Sequence, residues 1–277
     1  MDARLMNEHP HPLEVSAETV HSPAVPAIEL TDLRKTYGDS VAVDGLTLSI
    51  PQRCFFGFLG PNGAGKTTTI RMLTGLAVPT SGEIEVLGMR MPEQAFDVRR
   101  QIGLVPDDTL LFDHLTGYEY LDFVGRIYGL PRATARERAR ELLDLFELSY
   151  EDRKLVGEYS KGMRKRLAMG AALIHRPRLF LMDEPFEGVD AVGARLMKDI
   201  LLDQVRRNAT VFLTSHVLEV VERLCDRLAI INKGKIVVQG TMDDLRTRAA
   251  ESSGTLEDIF VQLVGAERGR SDSLDWL

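Results

Sequence analysis

Residues Phe55–Leu73 read FFGFLGPNGAGKTTTIRML, and this stretch decides the fold. An apolar, aromatic run from Cys54 to Leu59 breaks at Gly60, passes through a glycine-rich turn and resumes as a helical pattern after Lys66. The order is strand, phosphate loop, helix, with Gly60, Gly65, Lys66 and Thr67 filling G-x-x-x-x-G-K-[ST]. Glycines let successive backbone N–H groups close around an anion, which a Cβ would obstruct. The loop Gly60-Pro61-Asn62-Gly63-Ala64-Gly65, continued by Lys66, Thr67 and Thr68, is therefore the expected phosphate cradle, at the positive end of the following helix. Lys66 is expected to reach the β- and γ-phosphates of a nucleotide, and the Thr67 hydroxyl to ligate Mg²⁺.

The rest of the composition bounds the setting. With 44% hydrophobic and 27% charged residues over 277 positions, the chain suits one large or two small domains. A net charge of −7 argues against a broad nucleic-acid surface. Cys54 and Cys225 fit neither a disulfide framework nor a CxxC metal site. Both sit in apolar patterns, as reduced core thiols of a cytosolic protein do. No run approaches the ~20 consecutive apolar residues of a membrane helix, and the N-terminus lacks the basic and apolar regions of a secretory signal. Any membrane connection is expected through a partner.

Residues 1–26 hold Pro10, Pro12, Pro23 and Pro26 with His9, His11 and His21 and no apolar period, which predicts an unstructured tail. From Ala27 the pattern alternates through Ile28, Leu30 and Leu33, turns at Tyr37-Gly38, and alternates again from Val41 to Ile50. Short strands are expected at Glu83–Leu87 and Ile102–Val105. After Pro106 the character becomes helical, with Leu121, Val124 and Tyr128, then Ala139, Leu142, Leu143 and Phe146, at helical spacing. Strands are expected again at Leu179–Met182, Thr210–Thr214, Leu228–Ile231 and Ile236–Val238, the last two joined by Asn232-Lys233-Gly234, with helices between the earlier ones. Residues 243–265 read as helical and 267–277 as frayed. Strands alternating with helices, with a helical block between two halves of a sheet, make an α/β fold with an insertion.

The second decisive stretch is Leu179 to Pro185, LFLMDEP. It puts Asp183 and Glu184 at the C-terminal end of a buried strand, where ligands bind in such sheets. Asp183 suits a Mg²⁺ partner opposite Thr67, and Glu184 can polarise an attacking water. Ser160 can cap a helix running from Met163 to Ile174, whose N-terminus attracts phosphate, and Lys161 adds positive charge there. For that pentapeptide alone, an ordinary capped helix is the simpler reading.

The series GPNGAGKTT, YSKGMRKRLAMGAAL, LFLMDEP, GVD and LTSH resembles the ATPase subunit of an ATP-binding cassette transporter, in order and spacing from Ala27 to about Gly240. The resemblance implies a P-loop NTPase with a RecA-like core sheet, a small antiparallel β subdomain and an inserted α-helical subdomain. It divides the chain into the tail (1–26), an ATPase domain (27–245, insert about 107–177) and a C-terminal helical extension (246–277). It implies ATP and Mg²⁺ as ligands, with Glu184, His216 and Lys66 catalytic. Tyr37 takes the place of the aromatic that stacks on adenine. Ser160, Lys161, Gly162 and Met163 take the place of the signature that grips a second subunit's nucleotide, and Asp190 that of the aspartate bridging the dimer.

The resemblance further implies a homodimer, a separate membrane permease as partner, and a place on the cytoplasmic face of the membrane without nucleic acid. Three departures stand out: Asp107 where the family carries a glutamine that reaches the metal, Lys161 and Met163 in the signature, and Phe186-Glu187 after Pro185. Asp107 has two readings here, a Mg²⁺ ligand or a solvated turn acid. The YSKGM signature and LEDIFVQLVG at 256–265 resemble exporters of drugs, antibiotics, lipids or polysaccharides. The other readings are a soluble cassette ATPase without transport and a weakly hydrolysing regulatory module.

Overall fold

The computed structural model of the chain describes residues 25–149 and 153–251, with 257, 260 and 261. All but the last two residues of the expected tail, and most of the C-terminal extension, lie outside the described residues. The described chain opens with β1 (Ile28–Tyr37) and β2 (Ser40–Ile50), then β3 (Phe55–Leu59) and α1 (Lys66–Leu73). Next come β4 (Ser81–Val86), β5 (Met89–Met91), α2 (Ala95–Arg99) and β6 (Ile102–Val105). The helical block is α3 (Gly117–Ile127), α4 (Arg132–Leu145) and α5 (Lys161–Leu173). The remainder is β7 (Leu179–Asp183), α6 (Ala191–Arg206), β8 (Thr210–Ser215), α7 (Leu218–Leu224), β9 (Arg227–Asn232), β10 (Lys235–Thr241) and α8 (Met242–Glu251).

Two sheets form, in the orders β2-β1-β4-β5 and β10-β9-β3-β8-β7-β6. The first is antiparallel throughout. The second is parallel except for the β10–β9 pair at one edge. Non-sequential parallel neighbours require crossovers, and these carry the C-terminal ends of β3, β6, β7 and β8 to one edge of the sheet.

Central strands buried on both faces read as unbroken apolar runs, and their alternate residues feed two separate cores. Phe55, Leu59, Phe180, Met182, Val211 and Leu213 point to the face covered by the helical block and α6. Phe56, Phe58, Leu179, Leu181 and Phe212 point to the other, against α1 and the antiparallel sheet. The inserted helices thus share a core with the main sheet. Phe260, within the extension, packs against that same core.

Local chemistry sets the helix ends. Thr116 caps α3 by accepting from Glu119 N while the Glu119 carboxylate accepts from Thr116 N at 2.9 Å, a reciprocal capping box. Gly129 at φ 83° turns the chain out of α3, and Pro131 precedes α4. The sequence reading missed β5 and α2. Three and five residues long, they are too short to show a period; β5 is held by antiparallel pairing with β4.

Phe212 joins the aromatic cluster beneath the loop end of β3, 6.0 Å from Phe56 and 5.3 Å from Phe58 between ring centroids. Phe212→Ala is expected to cost about 3–5 kcal/mol through lost burial and a residual cavity. Phe96, 66% exposed, is the control: Phe96→Ala should stay within about 0.5 kcal/mol. Urea unfolding followed by circular dichroism checks the pair, and equal midpoints for the two variants would contradict this packing.

Candidate active site

The loop from Gly60 to Gly65 runs between β9 and β2. A side chain at Gly60 would collide with the Ile231 carbonyl. Gly65 sits at φ 112°, where a Cβ would also lie 2.6 Å from the Ala42 carbonyl. Both positions therefore demand glycine for steric reasons that the phosphate-loop motif shares. Gly65 gives α1 no side-chain cap, so the first-turn N–H groups of the helix face the loop's mouth without an intrahelical partner. Lys66, 7% exposed, folds back so that Nζ donates to the carbonyls of Gly60 at 2.7 Å and Pro61 at 3.2 Å.

Opposite stands the end of β7. Asp183 is buried, and the Thr214 hydroxyl of neighbouring β8 donates to its Oδ1 at 2.6 Å. The same hydroxyl and the Thr214 carbonyl each accept from Glu184 N at 3.3 Å. Glu184 itself adopts φ 46°, a left-handed conformation costing an ordinary side chain about 1–2 kcal/mol. Such strain persists where surrounding contacts fix it, and it concentrates at functional residues. Its Oε1 is buried without an aligned hydrogen bond, with His216 Nδ1 at 3.1 Å and Lys66 Nζ at 3.5 Å.

Lys66, Thr67, Asp107, Asp183 and Glu184 line one cavity of about 160 Å³ together with the loop. Glu184 also borders a second cavity of about 180 Å³ with His216 on its far side. The carboxylate therefore stands between the two. Asp107 lines the first cavity, yet its Oδ1 lies 3.6 Å from the ammonium of Lys165. Lys165 is fully buried on α5, and that desolvation pulls its pKa down while Asp107 opposes the fall.

The signature residues lie outside this cavity. Ser160 caps α5, accepting from Met163 N at 3.2 Å. Lys161 pairs with Glu187 at 2.8 Å, so two departures noted separately in the sequence meet in one contact. Asp190 caps α6, accepting from Gly193 N at 2.9 Å and Val192 N at 3.1 Å. These bonds, led by that from Gly193, hold its carboxyl below the usual range. Tyr37 ends β1 half-exposed, with Lys35 Nζ 4.8 Å from the ring centroid, and does not line the loop cavity.

Sequence reasoning missed Thr214 and Lys165. For Lys165 a signal existed: it falls on the inward stripe of α5 with Gly162, Met169 and Ala172, where a solvated lysine does not belong.

Comparison with known proteins bears on this geometry. The ABC transporter family model matches residues 43–187. The daunorubicin resistance ATP-binding protein DrrA3 of Streptomyces coeruleorubidus is 39% identical over 86% of this chain and 75% of its own length. The chain belongs to the ABC transporter family. It is one of the ATP-binding, ATP-hydrolysing subunits of that family. The bacitracin transport ATP-binding protein BcrA of Bacillus licheniformis is 40% identical over 80% of this chain and 72% of that protein. A solved structure described as an ATP-binding subunit of an ABC transporter superposes with a TM-score of 0.79 at 30% identity. That match covers 86% of this chain and 99% of the other. The two sheets with inserted helices are thus the ABC cassette fold.

Thr214 is expected to hold the end of β7. Thr214→Val keeps the shape but leaves the buried Asp183 carboxylate without its donor, which should cost about 1–3 kcal/mol. Thr214→Ser should recover most of that. Urea midpoints measure both; a valine variant as stable as the native protein would remove Thr214 from this role.

Proposed function

We propose that this ABC subunit binds MgATP at the Lys66 cavity, hydrolyses it with Glu184, and works as a homodimer driving a separate permease that exports its cargo. The observation that carries the reading is the convergence of Lys66, Thr67, Asp183 and Glu184 on that one cavity. The loop from Gly60 through Gly65, with Thr68, cradles the phosphates through the backbone N–H groups that follow Pro61, and Lys66 neutralises the β- and γ-phosphoryl charge. Lys66 lies 3.5 Å from Glu184, so phosphate competes for the ammonium and frees the carboxylate to accept a proton from water. His216, 3.1 Å from Glu184 Oε1, orients that carboxylate and contacts the γ-phosphate.

No three acidic, histidine or cysteine side chains among the described residues converge to cage a metal. That suits Mg²⁺, which takes one or two protein oxygens and completes its shell with phosphate and water. Thr67 and Asp183 would hold the ion, with Asp107 a further donor on the cavity wall; bound there, it would supply charge neutralisation of the phosphoryl oxygens. Tyr37 stacks on adenine.

Ser160, Lys161, Gly162 and Met163 open a 13-residue helix whose N-terminus attracts phosphate, yet they lie outside this chain's own phosphate cavity. They serve the nucleotide of a second copy, with Asp190 bridging the pair. The helical insert at about 107–177 within the 27–245 ATPase domain meets the permease, and the extension at 246–277 follows. In this reading the subunit sits on the cytoplasmic face through its permease; no helix among the described residues is long and apolar enough to cross a membrane. A net charge of −7 supports no nucleic-acid role. Relatives named for daunorubicin resistance and bacitracin transport support an export direction.

Two substitutions test the scheme. Glu184→Gln should bind ATP and lose roughly 10²–10⁴ in hydrolysis rate, accumulating ATP-bound dimers; a native rate would refute the assignment of the base. Ser160→Arg should bind nucleotide as the native monomer does, yet form no ATP-dependent dimer by sedimentation velocity. Equal dimerisation of the Ser160 variant and the native chain would refute the shared site.

A further inference from the structure

Lys165 is a lysine with no exposed surface, placed on α5 five residues after the Ser160 cap. Its ammonium meets three oxygens: the Pro106 carbonyl at 3.1 Å, the Glu184 carbonyl at 3.2 Å and Asp107 Oδ1 at 3.6 Å. An ammonium carries three donors and no acceptor; two of them make hydrogen bonds to the backbone carbonyls, and Asp107 stands at ion-pair distance. Two of the three acceptors are backbone, which a carboxylate-seeking surface lysine has no reason to choose.

The Glu184 carbonyl matters most. Glu184 stands at φ 46°, a conformation its own side chain disfavours, and it is pinned from both ends. Its N–H donates to Thr214, and its carbonyl accepts from Lys165. Between these anchors the side chain is aimed at Lys66 and His216. The Pro106 carbonyl ties in the loop after β6, whose Asp107 lines the same cavity.

We propose that Lys165 is a positioning residue for ATP hydrolysis, fixing the main chain of Glu184 and the Pro106-Asp107 loop to α5 so that the base faces the phosphate cavity. Lys165 does not line the phosphate cavity; it acts through Glu184. The inference rests on the reading of Glu184 as the base. It also gives α5 two ends of one job, with Ser160 at its start serving a second copy's nucleotide and Lys165 holding this chain's own base.

The test compares Lys165→Met, which keeps the length and loses every donor, with Lys165→Gln, which keeps two. Each is made in the native and the Glu184→Gln backgrounds and measured for kcat, KM and affinity for a fluorescent ATP analogue. Lys165→Met should lower kcat roughly ten- to hundredfold, the scale of a small misplacement of a reacting group. Affinity and KM should stay within about twofold, the mark of a loss confined to the chemical step. Lys165→Gln should recover part of the rate. In the Glu184→Gln background, Lys165→Met should change the residual rate by less than about twofold, since coupled positions do not add.

A native kcat for Lys165→Met, with Glu184→Gln slow, overturns the positioning role. So does an equal loss in both backgrounds, or an affinity loss that matches the rate loss. Should Lys165→Met fail to fold, Lys165→Gln carries the same comparison: a reduced kcat that vanishes as an effect in the Glu184→Gln background supports the role, and equal losses in both overturn it. A native rate for Glu184→Gln alone overturns the underlying assignment of the base, and that outcome needs no Lys165 variant.

Discussion

The structure depends on one buried charge. The Lys66 ammonium is almost closed off from solvent, bound to the carbonyls of Gly60 and Pro61 and facing Glu184. Taking an ammonium out of water costs several kcal/mol unless oxygens replace the lost hydration. The loop can supply them only because β3 delivers it to the sheet edge where β7 and β8 also end. A phosphate arriving there meets a charge whose desolvation has already been met by folding.

Around this centre the charged departures from the family pattern are held in ion pairs. Asp107 faces Lys165 across the end of β6, and Lys161 faces Glu187 beyond the end of β7. Each pair joins α5 to the loop after a strand of the main sheet, Asp107 after β6 and Glu187 after β7. The buried pair has geometric weight because Lys165 also holds two backbone carbonyls. The exposed pair is screened by solvent, and pairs of that kind contribute little stability. Glu187 nevertheless keeps its carboxyl below the usual range through Lys161, so it stays charged where the signature helix begins.

Much of this was legible in the sequence where a short run carries its own physics. Phe55–Leu59 and Leu179–Met182 are apolar along their length, and Thr210–Ser215 carries an apolar centre at Val211–Leu213, because both faces are buried; they read directly as central strands. The loop glycines, Lys66, Thr67, Asp183 and Glu184 likewise declare themselves by spacing. What stayed hidden depends on residues far apart in the chain. Thr214 bonds Asp183 across 31 positions and Lys165 reaches Pro106 across 59; Thr214 is ordinary in its local setting, and the inward stripe of α5 marks Lys165 as buried without naming its partners. Asp107 shows the limit clearly, since the sequence left it between metal ligand and turn acid, while the fold places it on the cavity wall with a lysine beside it.

The most direct test of the account is a crystal structure of the native chain with Mg²⁺ and a non-hydrolysable ATP analogue. The account predicts the γ-phosphate beside Lys66 in the cavity between the loop and Glu184, with Ser160 from a second copy on the same phosphate. A nucleotide bound elsewhere on the chain, or one in that cavity with Ser160 of every copy turned away from it, would contradict it.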